Sequence, residues 1–327
     1  MSTPPIPLLL NKRAGSLFRG GLKAWLSRHD GTFRPILTES AEEAQQQAEQ
    51  LVKANEPIIA VAGGDGTLMN IAQVLMGTGT ALGILPSGSM NVFARELGIG
   101  SHRYDVALSA ILGNVRKEID IFTLNGTPFL QLAGIGPDAD IIRRITPKLK
   151  RRLGPASHII TALQTLKAPL PRLTITTDGG EILCGAQIIL GNGACYGGEA
   201  HLFRHAAYDD GRLDAAIIQR QHIGILMEVL FSMLQHGARA DVTPPGMEIR
   251  RFRRCVITTE ETVSYQVDGD YIGKLHRGEE LVVEKQEQKL TVCIPPAPAP
   301  NTPFEKLLTA PVVHALFHKI AEIRTGD

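Results

Sequence analysis

The chain has 327 residues, of which 43% are hydrophobic, so it is long enough for two domains that each bury a core. Its formal net charge of +1 comes from 34 Lys and Arg against 33 Asp and Glu, which gives no indication of a nucleic-acid partner. The four cysteines lack Cys-x-x-Cys spacing, which argues against a zinc site or a disulfide framework and favours reduced, buried thiols in a cytoplasmic protein.

The sequence gives no sign of a segment that crosses a membrane. No apolar run reaches the roughly 18 residues that a spanning helix needs. The N-terminus lacks the positive region and the long apolar run of a signal peptide. We therefore expect a soluble protein, or one that binds a membrane at its periphery.

The first 120 residues alternate short apolar runs with longer amphipathic runs, a pattern typical of βαβ units around a mainly parallel sheet. Thr38 or Ser40 is placed to cap the helix that follows the second strand. This predicts an N-terminal α/β domain over 1–120. The predicted strands are 6–10, 35–37, 58–62 and 81–85. A first helix is expected to end near residue 27, and another to begin near residue 67. The other predicted helices are 41–54, 93–97 and 105–112.

From residue 121 to 294, short β-like runs alternate with Gly, Asp and Pro, which predicts an all-β domain, a sandwich. Helices are expected within it at 159–165 and 224–237. A proline-rich linker follows at 295–300, and an amphipathic helix over 301–327. That last helix is expected to pack on the core, to exchange with a partner chain, or to lie in a membrane interface. The nine predicted strands are 118–124, 128–133, 172–177, 181–191, 213–218, 253–258, 264–267, 280–284 and 289–294.

The stretch around Gly63-Gly64-Asp65-Gly66-Thr67 follows a buried strand and precedes helical sequence. Glycines allow backbone N–H groups to approach an anion, and Thr67 is able to cap the following helix, so the stretch predicts a phosphate site. It is not a Walker A loop, because no lysine follows Gly66. Asp65 then implies Mg²⁺ or a proton-abstracting role, since a carboxylate repels phosphate. The alternative is a tight turn in which the aspartate caps a backbone group.

A second polar turn, 86–91, follows the fourth predicted strand and contains Ser87, Gly88 and Asn91. Because the carboxyl ends of parallel strands meet at one edge of a sheet, we expect both turns to face one crevice.

Further elements rich in glycine and aspartate occur in the β-rich half, at 134–140, 191–198, 209–214 and 267–270. Each of them alone is compatible with an ordinary turn. With the asparagine loop 11–15, GGDGT at 63–67 and PSGSMNVFAR at 86–95, their order and content over about residues 5–295 resemble the diacylglycerol kinase catalytic family. The resemblance is to its bacterial lipid kinases, which are related to sphingosine kinases.

This resemblance implies a three-layer α/β nucleotide domain, a C-terminal β-sandwich and an active site between them. It also implies ATP and Mg²⁺ as cosubstrate and metal, and a lipid hydroxyl as acceptor. Asp138 corresponds to the acid that recognises the lipid head group. The implied nucleotide-binding residues are Asn11, Thr38, Gly63, Gly64, Gly66, Thr67, Ser87, Gly88, Asn91 and Arg95, and the implied metal-binding residues are Asp65, Asp210, Asp214 and Asp270.

Two carboxylates compete for the role of general base. Asp65 matches the position of the sphingosine kinase base, whereas Asp268 matches the aspartate of the final Asp-Gly-Glu element of bacterial relatives; we favour Asp268. Asp270 replaces the glutamate of that element and shortens the carboxylate arm by one methylene. Glu199 and Arg204 also depart from the family pattern, which puts the acceptor more in doubt than the reaction.

Three functions follow from these residues. The first is an ATP-dependent kinase of a diacylglycerol-like lipid, the second a kinase of a soluble hydroxyl compound similar to NAD kinase, and the third a non-catalytic lipid or nucleotide sensor. A lipid substrate implies peripheral contact with a membrane, and the basic runs 148–152 and 250–254 suit either an anionic membrane or a solvated surface. The sequence leaves a homodimer open.

Overall fold

The structure, a computed structural model, describes residues 4–11, 21–88, 90–113, 115–144, 170–196, 200–203, 205–219 and 246–296. The helices expected at 159–165, 224–237 and 301–327, and the linker beyond Pro296, lie outside these residues. The helices are α1 (Leu22–Arg28), α2 (Ala41–Lys53), α3 (Asp65–Leu75), α4 (Val92–Glu96), α5 (Tyr104–Leu112) and α6 (Pro137–Arg144).

The described part of the chain contains 20 strands. They are β1 (Ile6–Asn11), β2 (Phe33–Thr38), β3 (Ile58–Gly63), β4 (Ala81–Pro86), β5 (Arg116–Ile119), β6 (Phe122–Leu124), β7 (Thr127–Phe129), β8 (Leu132–Ile135), β9 (Leu173–Thr177), β10 (Ile182–Gly185), β11 (Gln187–Gly191), β12 (Cys195–Tyr196), β13 (Ala200–His201), β14 (Leu213–Ile218), β15 (Met247–Phe252), β16 (Arg254–Thr259), β17 (Val263–Val267), β18 (Asp270–Leu275), β19 (Leu281–Lys285) and β20 (Leu290–Cys293).

The N-terminal domain is built on a six-stranded sheet in the order β2-β1-β3-β4-β20-β5, and its first four strands are parallel. Helices α2 and α3 pack together on one face. On the other face α1 meets α5, where the Trp25 indole N–H donates to the Asp105 carboxylate at 2.7 Å. The predicted three-layer α/β domain with a parallel sheet is confirmed.

Local sequence signals account for the start of α2. Ser40 is its N-cap, with an extended backbone and a side chain that accepts the Glu43 N–H at 3.2 Å. Glu42 and Glu43 lie in the first turn, where the helix dipole favours negative charge. Ala44, Ala48 and Leu51 form its buried face, as the helical spacing predicts.

The C-terminal domain consists of two six-stranded antiparallel sheets. The sheet β10-β9-β16-β19-β6-β7 packs on the sheet β15-β14-β11-β8-β17-β18. Alternate residues of both sheets, among them Ile175, Ile257 and Leu190, form one buried core between them. The predicted β-sandwich is therefore confirmed.

The last strand lies elsewhere than the sequence analysis placed it. The prediction put 289–294 in the sandwich, whereas β20 pairs with β4 and β5 in the first sheet. The chain therefore passes between the domains twice, and Asp120 of the first passage is buried at this point. Its carboxylate accepts the Gly211 N–H at 2.7 Å and forms ion pairs with Lys285 at 3.2 Å and Lys289 at 3.7 Å. These contacts tie the two passages together.

Three of the four cysteines are buried and free, as expected, whereas Cys184 is exposed, so the prediction of a buried thiol was wrong there. Cys184 lies on β10 at the edge of its sheet, where one face of the strand meets solvent. Within the described ranges, no helix combines the length and the apolar character that are needed to cross a bilayer.

Candidate active site

The crevice lies at the carboxyl ends of β1 and β3, where the order of the parallel strands reverses. Asn11 ends β1 and pairs in register with Thr38, which ends β2. Together with Thr67 of α3 they line one pocket, which α2 and α3 close with Ala41 and Asn70. Three residues that the sequence analysis assigned to the nucleotide thus lie together.

The two glycine-containing turns pack against each other, backbone to backbone. A Cβ added at Gly88 would lie 2.4 Å from the Cα of Gly64, and the Ser87 N–H donates to the Gly63 carbonyl at 3.0 Å. A Cβ at Gly63 would lie 2.5 Å from the Cβ of Thr67. Glycine is therefore required at these positions for close approach rather than for backbone conformation.

The first turn of α3 presents backbone donors to this crevice. The helix begins at Asp65, with Gly64 as an N-cap that has no side-chain hydrogen bond. The expectation that Thr67 caps the helix was wrong, because Thr67 lies inside the first turn. The Ser87 hydroxyl oxygen is buried and has no hydrogen-bond partner among the described residues. Open amides at a helix N-terminus and an unsatisfied hydroxyl suit the phosphates of a nucleotide.

Asp65 connects the phosphate turn, residues 63–67, to α4. Its two carboxylate oxygens accept the N–H groups of Val92 and Phe93, both at 3.2 Å. Burial raises the pKa of Asp65, while these amides and the positive charge of Arg95 act in the opposite direction. The Arg95 guanidinium is held by the Met90 carbonyl, to which Nε donates at 2.8 Å. Arg95 is thus partly buried beside Asp65.

Asn91 shapes the second turn. It is fully buried in the left-handed conformation with φ 51°, its Oδ1 accepts the Gly88 N–H at 2.9 Å, and its Nδ2 donates to the Gly88 carbonyl at 2.9 Å and to Ser101 at 2.7 Å. These contacts commit both ends of the amide to the loop. Asn91 therefore holds Gly88 in place, a role that the assignment to nucleotide binding did not foresee.

Asp268 occupies the turn between β17 and β18 with φ 48°, in the left-handed region. Its carboxylate accepts the backbone N–H groups of Leu130, Gln131 and Leu132 at 2.7 to 3.0 Å. Burial and, to a smaller extent, the negative charge of Asp65 raise the pKa of Asp268 to about 6 against the effect of these amides. The two candidate bases are therefore close enough to repel each other.

Asp270 follows in the same turn and faces the first domain. A Cβ on Gly66 would lie 3.6 Å from its Oδ2. The phosphate turn of the α/β domain and the acidic turn of the sandwich, residues 268–270, thus meet across the crevice, as the sequence analysis expected of an interdomain site.

Asp210 and Asp214 lie apart from this meeting point and share one counter-ion. Arg251 is directly opposite Asp214 in the β14–β15 register, and its Nε lies 3.1 Å from the Asp214 carboxylate. Its terminal nitrogen binds Asp210. In the described ranges no group of three or more His, Cys, Asp or Glu is placed to hold a metal ion. The four predicted metal-binding aspartates therefore do not form one site, and a guanidinium already binds two of them.

Asp138, the predicted head-group residue, is buried in α6. Its Oδ1 accepts the Tyr196 hydroxyl at 2.6 Å, and its Oδ2 accepts Gln266 Nε2 at 2.8 Å. Gln266 in turn accepts the Gly269 N–H at 2.8 Å. Burial raises the pKa of Asp138, which the two side-chain hydrogen bonds counter. The chain of contacts connects Asp138 to the turn that carries Asp268.

Glu96 is a functional candidate that the sequence analysis missed. From the end of α4 its carboxylate accepts the N–H groups of Ala194 and Cys195 in the turn after β11, the second at 3.1 Å. The side-chain amide of Gln131, whose backbone N–H donates to Asp268, donates to the same carboxylate and accepts a hydrogen bond from the Tyr208 hydroxyl. The sequence carries no signal for this role, because a glutamate at the end of a short helix is normally solvated and only the packing of the sandwich against α4 buries it.

Comparison with known proteins agrees with this arrangement. The family model of the diacylglycerol kinase catalytic domain matches residues 6–124, and that of the YegS C-terminal NAD kinase beta sandwich-like domain matches residues 132–286. The chain therefore contains a diacylglycerol kinase catalytic domain followed by a YegS-type sandwich domain. These two domains support a kinase of the lipid kinase family.

Relatives within this family carry names of lipid kinases. A "Diacylglycerol kinase" of Bacillus subtilis is 27% identical over 245 residues, which cover 73% of this chain and 79% of that protein. A "Probable lipid kinase YegS-like" of Alcanivorax borkumensis is 26% identical over 83% of this chain and 91% of its own. A crystal structure described as a diacylglycerol kinase from Bacillus anthracis covers 91% of this chain and 100% of its own, with a TM-score of 0.67 at 20% identity, which shows the shared fold.

Proposed function

We propose that this member of the family transfers the γ-phosphoryl group of ATP to a hydroxyl of a diacylglycerol-like lipid. One observation carries the proposal: Gly66 of the phosphate turn lies beside Asp270, in the same turn as Asp268. A nucleotide held at the first turn of α3 has its terminal phosphate directed toward a carboxylate pair in the other domain. Phosphoryl transfer asks for such positioning and for charge neutralisation more than for covalent chemistry.

In this proposal the backbone amides after Gly63, with the Ser87 hydroxyl, bind the phosphates of ATP. Asn11, Thr38 and Thr67 line the pocket beside them. Arg95 supplies positive charge next to Asp65. These groups orient the phosphates and leave the acceptor side of the crevice to the sandwich domain.

Asp268 is the proposed general base. Three amides fix its carboxylate, and its pKa of about 6 leaves it ionised at neutral pH and able to take the proton of an acceptor hydroxyl. Asp65, whose oxygens both bind the start of α4, serves to position that helix.

Mg²⁺ suits this site as a companion of the nucleotide. Mg²⁺ is usually held by one or two carboxylates together with substrate phosphates, which does not require a cluster of protein ligands. Asp270 is the exposed carboxylate beside the phosphate turn, so it is the residue proposed to hold the ion. Bound there, Mg²⁺ neutralises phosphate charge.

The test is phosphorylation of a total lipid extract with radiolabelled ATP and Mg²⁺, followed by mass spectrometry of the labelled lipid. We expect a phosphorylated glycerolipid, and Asp268→Asn lowers the rate at least about a hundredfold. Asp30→Asn, an exposed aspartate in the turn after α1, is the matched control and keeps the wild-type rate.

Two results would reject the proposal in different ways. Phosphorylation of NAD in the absence of lipid, at a rate equal to that of lipid phosphorylation, would indicate a kinase of soluble substrates. Binding of ATP without turnover on any lipid would indicate a sensor.

A further inference from the structure

Two large apolar side chains are exposed immediately after the acidic turn. Tyr271 and Ile272 are each 38% exposed and follow Asp270 on β18. This strand is an edge of its sheet, paired only with β17 among the described strands. Exposed apolar residues scattered singly need no explanation, but adjacent ones at the mouth of a site do.

The register of β17 and β18 shows which face these side chains share. Tyr271 lies opposite Gln266, and Lys274 lies opposite Ser264; directly opposite residues point to the same face of a sheet. Gln266 and Ser264 bind Asp138 and Asp140 of α6 on the outer face. Tyr271 and Lys274 therefore point to that outer face beside α6. The pairing shifts register between Tyr265 and Gln266, which leaves Ile272 without an opposite residue.

Positive side chains lie on the strand that carries the apolar pair and on the helix packed against it. Lys274 is exposed, and the last turn of α6, which packs against β18, ends in the exposed Arg143 and Arg144. Arg143 forms an ion pair with Asp140 at 3.3 Å. An exposed tyrosine and isoleucine with a fringe of cations match the boundary of an anionic bilayer, where amphipathic rings sit at the head groups and Lys or Arg meet lipid phosphates.

We propose that Tyr271, Ile272, Lys274, Arg143 and Arg144 form a surface that docks on an anionic membrane. The proposal rests on the proposed function, since a lipid acceptor is what requires bilayer contact. Ile272 is four residues from Asp268, a reach of at most about 14 Å of extended chain. A bilayer at this edge presents head-group hydroxyls directly to the acidic turn, so the lipid has only to rise partway out of the bilayer.

The experiment measures binding of the full chain, without ATP, to vesicles of phosphatidylcholine and phosphatidylglycerol by co-sedimentation. The double variant Tyr271→Ser and Ile272→Ser is expected to bind at least about tenfold more weakly. Lys274→Glu weakens binding to these vesicles but not the weak binding to phosphatidylcholine alone. The control is Ile182→Ser, since Ile182 is 67% exposed on β10, the edge strand of the other sheet; it binds like the wild type.

Other outcomes would overturn the proposal. These are equal binding by the double variant and the control, a wild type that does not bind vesicles, and a wild-type dimer that the double variant converts to monomer. Because no turnover is measured, the result is separate from the kinase test. If the double variant loses vesicle binding while the wild type phosphorylates no lipid, the docking surface is retained and the proposed kinase activity is rejected. A thermal melt of each variant confirms that the fold is intact.

Discussion

At the scale of single residues, Asp268 combines features that oppose each other. Three amides favour its charged form, yet burial and the neighbouring Asp65 bring its pKa to about 6. The proposed base must be ionised, so we expect activity above this pH and its loss as pH falls through it. We expect kcat/KM for lipid phosphorylation to decrease about tenfold per pH unit below 6, since kcat/KM reports groups of the free enzyme.

A pH profile measured from 4.5 to 9 on a fixed vesicle preparation checks this expectation. Vesicle binding is recorded at each pH as a control, so that loss of docking is not mistaken for protonation of the base. A flat profile through pH 6 would exclude Asp268 as the general base.

Glu96 is expected to contribute to the free energy of unfolding. Its carboxylate accepts N–H groups from Ala194, Cys195 and Gln131, so it joins α4 to the sandwich. Glu96→Gln replaces one acceptor oxygen by a donor that faces other donors, which costs about 1–3 kcal/mol. A urea titration that shows unchanged stability would contradict this role. Glu49→Gln, on the exposed face of α2, is the control and should not change the midpoint.

At the scale of elements, the proposed phosphate site depends on two turns that pack directly against each other. Gly88→Ala places a Cβ where the backbone of Gly64 lies, so the turns must separate. We expect ATP affinity, measured by calorimetry, to fall at least about tenfold, with a lower melting temperature. Gly179→Ala is the control, because an added Cβ there meets only the Thr177 hydroxyl at 3.7 Å. Wild-type affinity in Gly88→Ala would show that the turns do not form the nucleotide site.

The sequence predicted these elements well where local signals decide. An apolar run that ends in glycines located β3 and the turn after it, and the cap candidates Thr38 and Ser40 located the start of α2, where Ser40 is the N-cap. It predicted less well where distant contacts decide. Alternation identifies a strand such as β20 but not its partner, since the same pattern suits either sheet.

Side-chain pairings that depend on register were also out of reach. Arg251 belongs to a basic run in the sequence, and only the pairing of β14 with β15 shows that it neutralises Asp210 and Asp214. Glu96 reads as a solvated helix residue until the sandwich is placed against α4. That Asn11, Thr38 and Thr67 line one crevice was therefore predictable from motifs, whereas the contacts that hold its walls together were not.

At the scale of the whole molecule, the end of the described chain completes the first domain. Leu290, Val292 and Cys293 of β20 are fully buried between β4 and β5. A chain ended after Gln288 loses them, and burial of Leu and Val alone contributes about 3–6 kcal/mol. We expect this chain to aggregate or to melt at lower temperature, whereas one ended after Pro296 keeps a cooperative transition. Circular dichroism melts of the two chains provide the comparison, and identical melts would contradict it.

The double passage of the chain at Asp120 also determines how the two domains can move. A domain that is connected by two neighbouring chain passages can rotate about the line that joins the passages, but it cannot twist about either passage alone. Rocking of this kind widens or narrows the gap between Gly66 and Asp270. We therefore expect one hinge motion both to open the crevice to a substrate and to separate the phosphate turn from the acidic turn. The ion pairs of Lys285 and Lys289 with Asp120 lie at the hinge.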